Sequence, residues 1–314
     1  MIRAAGLTKR YGDQLAVDHA DFTVEPGTVT GFLGPNGAGK STTMRMILGL
    51  DYPTSGGVTV DGKPYRALPA PLREVGSLLD AKAVHGGRSA YNHLAYLAKS
   101  NRIPLKRVDD VIGLVGLEQV AKKRSKNFSL GMGQRLGIAA ALLGDPGTLL
   151  FDEPVNGLDP EGIVWVRNLM KSLAAQGRTV FVSSHLMSEM ALTADRVIVI
   201  GRGQIKADTT MRDFIGQNAT THVRVRSPHA GKLHELMTRS GWRVEALPDD
   251  DGALQVFGVT SDAVGDLAGQ NGLWVHELAV VQPSLEEAFM SMTADSVEYH
   301  AGMPAAGPAG VEAR

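Results

Sequence analysis

The chain has 314 residues, 43% of them hydrophobic and 21% charged, with Lys+Arg 32 against Asp+Glu 33 for a formal net charge of -1, and it contains no cysteine. That is the composition of an ordinary globular protein long enough for two domains; it excludes disulfides, zinc ribbons and thiol catalysis, and the even charge argues against a broad electrostatic footprint for nucleic acid. No window approaches the roughly 18 uninterrupted apolar residues of a membrane span, stretches such as Ile138 to Leu143 and Val197 to Ile200 being far too short.

In chain order, the start through Met1 to Gly6 runs into an alternating, strand-like stretch without the apolar core of a signal peptide, so the chain is expected to stay in the compartment where it is made. Val29 to Leu33 is an apolar run that ends in a glycine-rich loop, and Thr42 to Leu50 carries Met44, Ile47 and Leu48 at helical spacing. Ala90 to Ala141 reads mostly helical, with Leu94, Leu97 and Ala98 on one face and Val108, Ile112 and Val115 on another, as a helical insertion at about 84–141. Thr148 to Phe151, Thr179 to Val182 and Val197 to Ile200 read as buried strands that end at Asp152-Glu153, Ser183-Ser184-His185 and Gly201. Apolar strands alternating with helices predict an α/β domain over residues 1–218, built on a parallel sheet covered on both faces.

A smaller unit is expected over 219–300. Val223 and Val225 alternate with Arg224 and Arg226 as a strand, and Leu233, Leu236 and Met237 suit a helix ending at Gly241. Trp242 to Leu247 and Leu254 to Val259 read as a hairpin, Val264 and Leu267 as a second helix, and Leu273 to Val281 as a further strand. This βαββαβ order predicts the ferredoxin-like, split βαβ arrangement. Ser284 with Glu287 forms a capping box that opens a last helix through Leu285, Ala288 and Phe289, and the Gly/Pro/Ala-rich tail 301–314 is expected to be disordered.

Gly34-Pro35-Asn36-Gly37-Ala38-Gly39-Lys40-Ser41, followed by Thr42, fits the P-loop pattern between a strand and a helix. Its glycines let backbone N–H groups wrap a phosphate, Lys40 reaches the β- and γ-phosphates, and Ser41 ligates Mg²⁺. Leu149 to Glu153 supplies the complementary part of a nucleotide triphosphatase site, one carboxylate (Asp152) for the metal and a second (Glu153) to orient and deprotonate water. His229 and His234 are the nearest pair of histidines, and a solvated helix face explains them better than a metal site.

With these motifs in place, residues 2–215 resemble the ATP-binding subunit of an ABC transporter. Asn156-Gly157-Leu158-Asp159 resembles the D-loop, His185 the switch histidine that contacts the γ-phosphate, and Tyr11 the aromatic that stacks on adenine. The signature motif, usually Leu-Ser-Gly-Gly-Gln, aligns with Phe128-Ser129-Leu130-Gly131-Met132, which keeps Ser129 and Gly131; Asp80 falls where the Q-loop glutamine is expected and is assigned as a further Mg²⁺ ligand. These variants, with the ending Pro283-Ser284-Leu285-Glu286-Glu287-Ala288-Phe289, are most similar to the daunorubicin-resistance type of multidrug exporter ATPase. The resemblance implies ATP and Mg²⁺ as ligands, Glu153 and His185 as catalytic residues, and nucleotide contacts from Tyr11, the P-loop, Ser129, Gly131 and Asp159. It further implies a homodimer that shares its ATP sites and a separate membrane permease that holds the chain on the inner face of the cell membrane, with no nucleic-acid partner. A soluble ABC ATPase of translation or DNA repair is the alternative, although those carry two cassettes or a long coiled coil. A P-loop kinase leaves Phe128 to Arg135 and His185 unexplained.

Overall fold

A computed structural model describes residues 1–80, 83–218, 220–247, 250, 252–282 and 284–293. β1 (Ile2–Tyr11) and β2 (Gln14–Val24) form an antiparallel hairpin, β3 (Val29–Leu33) leads through a loop into α1 (Lys40–Ile47), and β4 (Ser55–Val60) pairs with the free side of β1. α2 (Pro71–Glu74) and β5 (Val75–Leu78) precede a helical excursion of α3 (Ala90–Ser100), α4 (Lys106–Leu114) and α5 (Leu130–Leu142). β6 (Thr148–Asp152), α6 (Pro160–Ala175), β7 (Thr179–Ser183), α7 (Met187–Thr193), β8 (Arg196–Gly201), β9 (Gln204–Thr210) and α8 (Met211–Asn218) follow. The chain then runs through β10 (His222–Arg226), α9 (Ala230–Arg239), β11 (Arg243–Ala246), β12 (Ala253–Phe257), α10 (Ser261–Gln270), β13 (Glu277–Val281) and α11 (Leu285–Thr293).

The central sheet has the order β5-β6-β7-β3-β8-β9, parallel except for the antiparallel edge strand β9. Every residue of β3 and β7 is buried, because both faces of the sheet are covered and a strand in that position has no polar side to show. One face packs against the β2-β1-β4 sheet, where the rings of Phe22, Phe32 and Phe181 meet at centroid distances of 5.0 to 6.1 Å. The other face is covered by helices through a core that includes Leu136, Leu149, Phe151 and Val182. Since β6, β7 and β3 are parallel neighbours, the three loops at their carboxyl ends converge, which is where ligands bind in such sheets.

The smaller sheet has the order β11-β12-β10-β13 with every neighbouring pair antiparallel, and Val223, Val225, Leu233, Met237, Val256 and Val264 form its own core. Two expectations need correction. The strand expected from Leu273 begins only at Glu277, because Gly272 (φ 64) closes α10 with bonds from its N–H to Gly269 (3.1 Å) and from the Leu273 N–H to Ala268 (3.0 Å), a Schellman motif that takes these residues out of the ladder. The second concerns α11. Its capping box forms, with the Glu287 N–H donating to Ser284 Oγ at 3.1 Å, yet Leu285 and Ala288 join the core of the larger domain beside α7 and α8 rather than that of the small sheet. An apolar stripe tells that a helix face is buried, not what buries it. The tail 301–314 lies outside the described residues.

Candidate active site

The loop after β3 is shaped by two close approaches. A Cβ on Gly34 would collide with the Ile200 carbonyl oxygen, and one on Gly39 with that of Ala16. Gly39 also sits at φ 105, a conformation that side chains other than glycine's hydrogen resist, and it is the N-cap of α1, so the helix starts with its first amides turned toward the loop. Lys40 Nζ donates to the Gly34 and Pro35 carbonyls at 2.6 and 3.1 Å. Burial pushes its pKa down, against the opposing pull of Glu153 and then Asp152. These carboxylates and the lysine share a cleft of about 560 Å³, lined by Tyr11, Gln14, Ala16, residues 36–42, Leu79, Asp152, Glu153 and Asn156.

β6 delivers the two carboxylates with different surroundings. Asp152 accepts from Ser41 Oγ at 2.8 Å through Oδ2 and from Ser183 Oγ through Oδ1. Glu153 has φ 51, in the left-handed region that costs most residues about 1–2 kcal/mol, and it is held there from both sides. Its N–H donates to Ser183 Oγ at 3.1 Å, and its carbonyl accepts from Gln134 Nε2 at 2.9 Å. Its carboxylate Oε2 accepts from the ring Nδ1–H of His185 at 2.7 Å and from the His185 N–H at 3.3 Å. His185 is 56% exposed and Glu153 only 24%, so the histidine is the solvent-facing member of the pair.

The structure thus gathers Asn36, Gly37, Ala38, Gly39, Lys40, Ser41 and Thr42 with Asp152 and Glu153 around the cleft, and it sets His185 on Glu153. Tyr11 stands at the rim, 46% exposed, with its hydroxyl donating to Asp51 at 2.7 Å; burial and then Asp51 raise its pKa. Four expected ligands lie elsewhere in the single chain. Ser129 caps α5 by accepting from the Met132 N–H at 3.2 Å, and Gly131 lies against Gly157 and Leu158. Asp159 caps α6 in the single chain, its Oδ1 taking the Gly162 N–H at 2.9 Å. Asp80 is exposed just beyond β5, and the cleft is lined instead by its neighbour Leu79. Two residues that the sequence did not single out also meet these acids: Ser183 Oγ bonds Asp152 Oδ1 and the Glu153 N–H, and Gln134 Nε2 bonds the Glu153 carbonyl. Ser183 stands two positions before His185, but its role depends on β7 lying beside β6, which the sequence does not give.

The ABC transporter family matches residues 17–156, and a domain of unknown function matches residues 221–286. The chain is 36% identical over 297 residues to the bacitracin transport ATP-binding protein of Bacillus licheniformis, covering 93% of this chain and 97% of that one. The chain belongs to the ATP-binding subunits of ABC transporters. It is also 32% identical over 313 residues to a daunorubicin resistance ATP-binding protein of Streptomyces coeruleorubidus, covering 94% and 96% of the two chains. Among solved structures, a bacterial ABC transporter cassette in dimeric form superposes with a TM-score of 0.62 at 26% identity, over 68% of this chain and 99% of the other. An ABC ATP-binding subunit hydrolyses ATP. In the single chain Glu153, just after β6, and His185, just after β7, already stand in contact.

Proposed function

We propose that this chain powers an exporter of drug or antibiotic molecules, as one half of a homodimer that closes over ATP and drives a separate membrane permease. The observation that carries the reading is likeness over nearly the whole length, small C-terminal unit included, to proteins of bacitracin transport and daunorubicin resistance. The dimeric cassette supports the pairing, and the position of Ser129 and Gly131 away from their own P-loop is what a site shared between two subunits requires. Among the described residues no helix is long and apolar enough to cross a membrane, which leaves the pathway to a partner.

In this reading the amides of the P-loop and Lys40 hold the β- and γ-phosphates. Glu153 accepts the proton of the attacking water, and His185, its Nδ1–H committed to Glu153, is assigned to the γ-phosphate by the family resemblance, a contact that its other ring nitrogen makes only when it too carries a proton to donate. Ser41 Oγ and Asp152 Oδ2 lie 2.8 Å apart, a pair of hard oxygen donors that suits Mg²⁺, which would polarise the phosphate oxygens when bound there with the nucleotide. Asp159 and Tyr11 remain assigned to the nucleotide in the closed dimer, on the strength of the family resemblance.

Glu153→Gln is expected to cut turnover by about 10²- to 10⁴-fold with ATP binding retained, and the full chain to accumulate as a dimer on sizing columns run with ATP and Mg²⁺. Unchanged turnover would remove Glu153 from the role. Cells that carry the chain and its permease should tolerate more of such a drug than cells with Lys40→Ala; equal tolerance would sink export.

A further inference from the structure

Gln134 is a polar side chain only 4% exposed, and its amide is spent on one acceptor, the carbonyl of Glu153, at 2.9 Å. Buried polar groups are paired, but this pairing reaches across 19 positions of sequence to a residue with unusual backbone geometry. Glu153 stays at φ 51 because its peptide is bonded on both sides, by Ser183 at the N–H and by Gln134 and the Asn156 N–H (3.2 Å) at the carbonyl. Turning that carbonyl would swing the Cα–Cβ bond and carry the carboxylate away from His185.

Gln134 also lies in the unbroken helix α5 five residues past Ser129, its N-cap, a separation of about 7.5 Å along the axis. A short helix moves as a rigid piece, so a displacement of its N-terminus is transmitted to Gln134. We propose that Gln134 is a positioning residue for the hydrolytic carboxylate: through it, the Ser129 to Gly131 segment that faces the opposite subunit sets Glu153 of its own subunit. This inference rests on the dimeric reading above and deepens it. Contact made by one subunit with its partner's ATP is thereby felt at the general base that serves its own ATP, and the two sites are coupled through α5.

The test uses the full chain with ATP and Mg²⁺. Gln134→Leu keeps the volume and removes the donor, and it is expected to lower kcat about tenfold while KM for ATP changes less than about twofold. In a Glu153→Gln background the same substitution should add nothing, because the group that it positions is gone. Gln134→Glu gives a second readout. Its carboxyl can donate to the Glu153 carbonyl only when protonated, so its turnover relative to wild type is expected to rise as pH falls from about 8 to 6. Wild-type kcat in Gln134→Leu, losses that multiply in the double variant, or a flat pH ratio in Gln134→Glu would each overturn the link. If Glu153→Gln alone keeps wild-type turnover, the general-base reading has failed. If it loses turnover and Gln134→Leu does not, only the link has failed. Should Gln134→Leu not fold, the pH ratio of Gln134→Glu decides.

Discussion

In the full chain, Leu285→Ala removes a side chain that is 2% exposed and packed where α11 meets α7 and α8. Leucine-to-alanine changes in a core cost about 2–5 kcal/mol. Taking about 3 kcal/mol, amides that exchange through opening of this region should exchange about 10²-fold faster, since each 1.4 kcal/mol is roughly tenfold. For a domain of about 220 residues the melting temperature should drop by about 6–12 °C, at about 2–4 °C per kcal/mol. Hydrogen exchange read by mass spectrometry localises the effect: protection should fall in peptides covering 187–193 and 211–218. As control, Leu233→Ala, in the core of the small sheet and fully buried, should instead loosen β10 and β12. Unchanged exchange in α7 and α8 with Leu285→Ala, and loss confined to the small sheet, would refute the assignment of α11 to the larger domain. The same logic predicts that a chain ending near residue 218 binds ATP less stably than the full chain, because the apolar face of α7 and α8 is uncovered.

Gly39→Ala should abolish ATP binding in an otherwise folded protein, since a Cβ at φ 105 overlaps the Ala16 carbonyl and must shift the start of α1; nucleotide titration by fluorescence checks this, and wild-type affinity would contradict it. If Asp80 ligates Mg²⁺, Asp80→Ala should raise the Mg²⁺ concentration needed for hydrolysis more than it changes ATP affinity, and Asp80→Gln should restore much of the activity; identical metal dependence in wild type and Asp80→Ala would remove Asp80 from the site. Burial holds the Lys40 ammonium below its ordinary 10.5, so between the two values the unfolded chain keeps a proton that the folded chain has released, and stability rises with pH there. Relative to Lys40→Met, wild-type stability in denaturant should therefore climb as pH rises toward 10.5 and stay level below that window; a declining difference would contradict the buried charge.

The sequence by itself determined what is local. The β3 loop and α1 follow from glycine spacing and an apolar run, because a phosphate cradle needs contiguous residues with free backbone amides. The two carboxylates at the end of β6 are adjacent in the chain and could be paired with that loop by their chemistry alone. The capping box of α11 and the alternation in β10 are likewise written in neighbouring residues. Tertiary structure decided everything that depends on which elements lie side by side. Only the order β6-β7-β3 brings Ser183 and His185 onto Asp152 and Glu153, only the seating of α5 on the sheet edge against β5 aims Gln134 at the Glu153 carbonyl, and only the return of the chain buries Leu285 beside α7 and α8. The physical reason is the same in each case: periodicity records that a face is buried and chemistry records what a side chain can bond, but the partner is chosen by contacts between segments that the sequence keeps 19 to about 100 residues apart.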